Sequence, residues 1–332
     1  MNIKKLAKIT LVGLSVLSIV WIISIYLKGA PKKSSGIVPG KPNLVKTYKG
    51  NLSIYLNIKE GDFKYTGSLP FLSVTKKVLT EDYLNKVASF MGFSGTSTKI
   101  NDTQEGLTYF WKSDKATFFA YTNTSKIRYS SGEPFVAPNK QLSEDAVKAT
   151  IENFIAGSSV LSANSYSLGS VQFLKEGSLN EGFKKSTKDD FSLYQVNILP
   201  KSTEYEIVSP TSTESTSYIQ LTKDGNIYSL QLVVFGDVQR GPTEYTIKTY
   251  KEVNDSIANS VLISLDGEET PIQYLTVDYV KEIVINRIDI AYLLDSVSST
   301  NLQPVYKLTG VATLSNTKGV QAILYLPALS GL

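Results

Sequence analysis

The chain has 332 residues, with 34 Lys and Arg against 30 Asp and Glu, and contains neither Cys nor His. Without Cys there is no disulfide, thiolate nucleophile, iron–sulfur cluster or Cys-bound zinc, and without His no Ser-His-Asp triad and no His-ligated metal site. The net charge of +4 belongs to one end. Lys4, Lys5, Lys8, Lys28, Lys32 and Lys33 come with no acid among them, so the 299 residues after Lys33 keep 28 of the basic groups against all 30 acids, which speaks against a nucleic-acid partner.

Residues 1–8 form a short basic tail. From Ile9 to Leu27 run nineteen residues without a charge, enough at ~1.5 Å per residue to cover most of a ~30 Å hydrocarbon core. The stretch exceeds the ~7–15-residue apolar region of a cleavable signal. Pro31 directly after Gly29-Ala30 also makes a poor cleavage site, so the segment is expected to be an uncleaved membrane anchor. Lysines flank it on both sides, and the amino terminus adds one more charge to the leading side. The expected orientation therefore has the N-terminus in the cytoplasm and the body outside, touching lipid through residues 9–27. A body without thiols suits that compartment. Residues 28–47, rich in Gly, Pro, Ser and Lys, read as a linker.

The body reads as α+β: a helix with an N-cap signal followed by several strands with tight turns, three times over. Residues 48–138 are expected to form a first module. Its leading strand, Asn51–Lys59, alternates Leu52, Ile54, Leu56 and Ile58 on one face. Thr80-Glu81-Asp82 opens a helix with Tyr83, Leu84, Val87, Phe90 and Met91 on its apolar side, ending at Gly92. Strands follow over Leu107–Lys112, Ala116–Thr122 and Lys126–Ser130, the first two joined at Ser113-Asp114.

Residues 139–332 are expected to form a second α+β region, possible to divide near 241 at Gln239-Arg240-Gly241-Pro242. Ser143 caps a helix ending at Gly157, and strands read over Tyr166–Leu174, Phe191–Leu199, Ser217–Thr222 and Asn226–Phe235. Asp224-Gly225 supplies the positive φ angles of a tight hairpin. The Ser/Thr-rich run Ser209–Ser217 reads as a loop. After the expected break, Thr249 opens a short helix, and strands read near Val261–Leu265, Tyr279–Leu293, Gln303–Leu314 and Val320–Leu326.

Two of these stretches carry a resemblance. The run Ile288-Asp289-Ile290-Ala291-Tyr292-Leu293-Leu294, followed by Leu302-Gln303-Pro304-Val305-Tyr306-Lys307-Leu308-Thr309-Gly310, resembles the closing signature of the YycH/YycI-like extracytoplasmic proteins. Tyr245–Val253 looks like the strand-to-helix entry of the same unit, so the likeness covers roughly residues 243–326. The resemblance implies one N-terminal membrane helix, tandem α+β units outside the cell, no catalysis, and contact with a membrane sensor kinase. On the residues alone, Pro304 suits a strand start, and Tyr292 and Tyr306, on neighbouring strands, suit cross-strand packing.

Candidate sites are few. Asp189-Asp190 and Asp266 with Glu268-Glu269 lack the ligand spacing of a calcium loop and read as solvated turns. Lys223 and Ser229, on neighbouring hairpin strands, are the nearest approach to a Ser-Lys pair, a combination that chance alone supplies in so Ser- and Lys-rich a chain. No cofactor, metal or catalytic residue is nominated. Aromatic residues remain: Tyr109, Phe110, Trp111, Phe118, Phe119 and Tyr121 put rings on both faces of one hairpin. One face is expected to pack on the helix at 80–91, and Tyr109, Trp111, Phe119 and Tyr121 are taken as a possible interaction surface. The expected function is binding of a membrane or envelope protein by a single-pass extracytoplasmic protein without catalysis, possible targets including a sensor kinase. The alternative is an envelope-polysaccharide-binding module or a carboxylate-dependent hydrolase.

Overall fold

The computed structural model describes residues 40–332 apart from 133–140, 178–182, 211–216, 269, 271, 295–299 and 317. The basic tail, the expected membrane span Ile9–Leu27, most of the linker and most of the Ser/Thr-rich run lie outside the described residues. Among the described residues no helix is long and apolar enough to cross a membrane.

In chain order, β1 (Ile54–Leu56) and β2 (Ser68–Lys76) precede the helix α1 (Glu81–Phe90). Then come β3 (Thr98–Asp102), β4 (Gly106–Lys112), β5 (Ala116–Tyr121) and β6 (Lys126–Ser131). Helix α2 (Glu144–Ser158) leads into β7 (Tyr166–Glu176), β8 (Phe183–Ser186), β9 (Leu193–Pro200), β10 (Glu206–Val208), β11 (Tyr218–Thr222) and β12 (Ile227–Val233). The last part holds β13 (Phe235–Thr246), α3 (Tyr250–Ser256), β14 (Val261–Leu265), β15 (Val280–Leu293), β16 (Asn301–Leu314) and β17 (Lys318–Pro327). The chain is mixed α+β, mostly sheet.

α1, α2 and α3 each start where the sequence supplies an acceptor for the unpaired N–H groups of the first turn. Thr80 Oγ1 accepts from the Tyr83 amide, Ser143 Oγ accepts from the Ala146 amide, and Thr249 and Glu252 form a reciprocal capping box. Leu84, Val87 and Ala88 of α1 and Val147, Ile151 and Ile155 of α2 are buried in one core with Trp111, Phe118, Ile127, Val196, Ile219 and Leu230. These helices therefore cover one face of a nine-stranded antiparallel sheet ordered β3-β4-β5-β6-β12-β11-β9-β7-β8. Two helix-plus-meander units meet in it through their last strands, β6 and β12, with Ser130 opposite Ser229 and Arg128 opposite Gln231.

The second sheet runs β1-β15-β16-β17-β14, with β10 also on β15 and β2 bridging β13 and β16. α3 packs on it through Val253, whose core includes Ile283, Ile285, Tyr306 and Leu324. Lys248, buried, donates to the carbonyls of Pro327 and Leu329 at 2.8 Å each, tying α3 to the end of the chain.

Two expected boundaries are corrected. Residues 48–138 do not form a module with its own sheet: β1 and β2 pair with β15, β16 and β13, while β6 pairs with β12. Alternation along a strand shows which side chains face inward but carries no information on which distant strand it joins. The division near 241 falls inside β13. The pairing with β2 skips between Arg240 and Glu244, so Gly241-Pro242 sits in an irregularity rather than between domains. Gly is required there, since a Cβ on Gly241 would lie 2.8 Å from the Phe71 carbonyl oxygen. Pro304 is also interior to β16, where the strand changes neighbour from β2 to β17. Tyr292 and Tyr306 are both fully buried but pack elsewhere, Tyr292 against Tyr205 and Tyr306 against Phe63 and Tyr65.

Candidate interaction face

The face of the nine-stranded sheet opposite α1 and α2 carries side chains set by strand pairing. Residues directly opposite in an antiparallel pair share a face. Phe110 lies opposite Phe119, Phe119 opposite Arg128, Arg128 opposite Gln231, and Gln231 opposite Tyr218. The neighbouring row is Thr117, Ser130, Ser229, Gln220 and Gln195.

This arrangement divides the four residues singled out from the sequence. Tyr109 and Trp111 are 7% and 3% exposed and belong to the core beneath the helices, so they are not part of an interaction surface. Phe119 and Tyr121, half-buried, lie on the opposite face. The sequence held the signal for this. A hairpin with a two-residue loop pairs odd with even positions, so Tyr109 and Trp111 must share a face with Phe118 and Ala120, never with Phe119 and Tyr121.

On the open face Phe119 stacks on Phe110 with ring centroids 4.5 Å apart and lies parallel to Tyr121 at 6.1 Å. Across the β6/β12 seam, Tyr228 meets Phe183 edge to face at 5.7 Å. Between these aromatic residues is a hollow of about 420 Å³ whose lining includes Arg128, Ser130, Gln220 and Ser229. A hydrogen-bonded relay crosses four strands beneath it: Ser229 donates to Gln220, Gln220 Nε2 to Gln195 Oε1 at 2.9 Å, and Gln195 Nε2 to Gln172 Oε1 at 3.5 Å. Gln195 and Gln220 are buried, which an amide tolerates when its groups are bonded. The exposed Arg128 side chain makes no hydrogen bond or ion pair among the described residues. Lys126, by contrast, pairs with Glu105 at 2.8 Å and lies over the Tyr121 ring.

No protein-family model and no curated protein sequence matches the chain. Among solved structures it is similar to the crystal structure of an uncharacterised protein from Eubacterium rectale. The two share 12% identity and a TM-score of 0.44, over 85% of this chain and 90% of that one.

The other candidates do not assemble into a site. Lys223 lies over the Phe191 ring while Ser229 is engaged by Gln220, so they do not form a pair. Asp190 pairs with Lys175, and Glu268 accepts from the Tyr279 hydroxyl, which holds that phenol above its ordinary pKa. Among the described residues no group of three or more Asp and Glu could hold a metal ion. Arg128, Tyr218, Gln220 and Tyr228 were not singled out from the sequence, and Ser229 was considered there only as half of a Ser-Lys pair. Their rows exist only because β6 pairs with β12, a contact between residues about a hundred positions apart.

Proposed function

We propose that the chain is a single-pass, membrane-anchored protein whose body lies outside the membrane and binds an envelope component by contact, without catalysis. The observation that carries this reading is the helix-free face of the nine-stranded sheet. Its aromatic walls, a guanidinium without a partner among the described residues, and polar side chains surround a hollow of about 420 Å³. Half-buried rings gathered on the sheet face away from α1 and α2 support a recognition role. The uncharged stretch Ile9–Leu27 supports the anchor, and the missing Cys and His narrow the chemistry left to an enzyme.

The likeness of residues 243–326 to the YycH/YycI-like proteins supports a membrane sensor as the protein partner. The hydroxyl and amide floor of the hollow supports a second reading, an envelope polysaccharide. A carboxylate-dependent hydrolase has less support, because among the described residues no acid lines the hollow. Protease added to intact cells tests the arrangement: digestion of residues 40–332 with the N-terminal tail protected agrees with it. Full protection of the body in intact cells, with cleavage after lysis, overturns the outward placement.

A further inference from the structure

We infer that the hollow at the β6/β12 seam binds an acidic polysaccharide lying across the strands, with Arg128 taking a carboxylate and the serine and amide row taking ring hydroxyls. This rests on the contact function proposed above and gives it a ligand class.

The strands under the hollow are interior. β5, β6, β12 and β11 each have a neighbour on both sides, so no backbone edge is open and a peptide cannot add as another strand. Recognition there must use side chains. Thr117, Ser130, Ser229 and Gln220 stand on four successive strands in one row, which places a hydroxyl or amide about every 4.8 Å across the sheet. An extended glycan presents one ring, with its hydroxyls, at close to that interval. A peptide crossing the same strands presents same-side side chains only every ~6.8 Å and falls out of step.

The chemistry of the row agrees. Hydroxyl and carboxamide groups both donate and accept, as sugar hydroxyls do. The relay from Ser229 through Gln220 and Gln195 to Gln172 holds the amides in one orientation before any ligand arrives, which reduces the entropy lost on binding. Phe119 and Tyr121 on one side and Tyr218 and Tyr228 on the other offer ring surfaces to the apolar C–H groups of a sugar. Charge then selects among glycans. Among the described residues the exposed Arg128 has no partner and no carboxylate lines the hollow, and a guanidinium recognises a carboxylate through two parallel hydrogen bonds. A neutral glycan would leave that group unused, and a cationic one would be repelled.

The test measures binding of the full chain, in detergent, to three probes: a hexagalacturonate, a neutral chitohexaose and a hexaglutamate peptide. The expected result is that hexagalacturonate binds best, and that Arg128→Gln weakens it about tenfold, the size of one lost charge-assisted contact. Arg128→Gln should leave any chitohexaose binding unchanged, and Phe119→Ala should weaken both sugars. Arg128 is exposed, so its substitution leaves the fold intact, which the unchanged thermal midpoint verifies. Hexaglutamate binding as tightly as hexagalacturonate overturns the inference, as does hexagalacturonate binding that is indifferent to Arg128→Gln. If neither sugar binds, yet Phe119→Ala abolishes crosslinking of the chain to an envelope protein, the polysaccharide is refuted and the contact function stands. If neither sugar binds and no substitution on this face changes any crosslink, both fail.

Discussion

Phe118 and Phe119 are adjacent, identical in type and placed on opposite faces of β5, so truncating each to Ala compares the two sides of the sheet directly. Phe118 is fully buried, with its ring 5.2 Å from that of Trp111 and 6.1 Å from that of Phe93. Removing it takes away the transfer free energy of the ring and leaves a cavity under α1, a loss of about 3–5 kcal/mol. Phe119 is half-exposed and has Phe110 as its close ring neighbour at 4.5 Å. Its truncation removes a stacked pair worth ~0.5–1.5 kcal/mol and part of the transfer term, for a total of about 1–2 kcal/mol. Urea unfolding followed by circular dichroism should therefore separate the variants by about 1–4 kcal/mol, with Phe118→Ala the less stable, at unchanged slope. Trp111 emission should shift in Phe118→Ala and stay constant in Phe119→Ala. Equal costs, or a greater cost at Phe119, would refute the assignment of faces and with it the open surface.

Three further outcomes follow from individual contacts. Burial raises the phenol pKa of Tyr292, Tyr306 and Tyr325, and Tyr292 and Tyr306 donate at 2.7 Å to the carbonyls of Pro70 and Lys248. The native state keeps these protons where the unfolded chain releases them, so above about pH 10 each contributes a loss of up to ~1.4 kcal/mol per pH unit. Their tyrosinate absorbance should appear only together with loss of structure, and reversible titration of an intact fold would contradict this. Gly310→Ala should cost about 1–3 kcal/mol in thermal unfolding, because its Cβ would lie 2.4 Å from the Val284 carbonyl oxygen, whereas Gly61→Ala, with nothing within 4 Å, should be near neutral. Thr249→Ala removes the capping box of α3 and should cost about 1 kcal/mol, seen as faster amide exchange at the start of that helix.

How far the sequence reaches can be seen strand by strand. Val261–Leu265 reads with its observed bounds, and the alternation of Tyr279–Leu293 and Gln303–Leu314 lies within a residue or two of β15 and β16. Caps place the starts of α1, α2 and α3, because an N-cap is a local interaction. β2 and β13 are harder to see, since Pro70 interrupts one and Gly241-Pro242 the other, and both are tolerated only through their particular pairing. The parallel pairing of β1 with β15, between residues such as Ile54 and Ile283, is invisible to local pattern. The same limit hid the hollow. Its aromatic half, Phe119 and Tyr121, is legible in one hairpin, but Arg128, Ser229 and Gln220 come together only when two separate meanders join.

The central claim, that the helix-free face is the working surface, is tested most directly by photocrosslinking in intact cells. A photoreactive residue is placed at Phe119 or Arg128 on that face, and at the exposed Lys86 or Glu152 on the helix side. The account predicts adducts with an envelope component from positions 119 and 128 and none from 86 and 152. Adducts confined to the helix side, or an equal yield from all four positions, would contradict it.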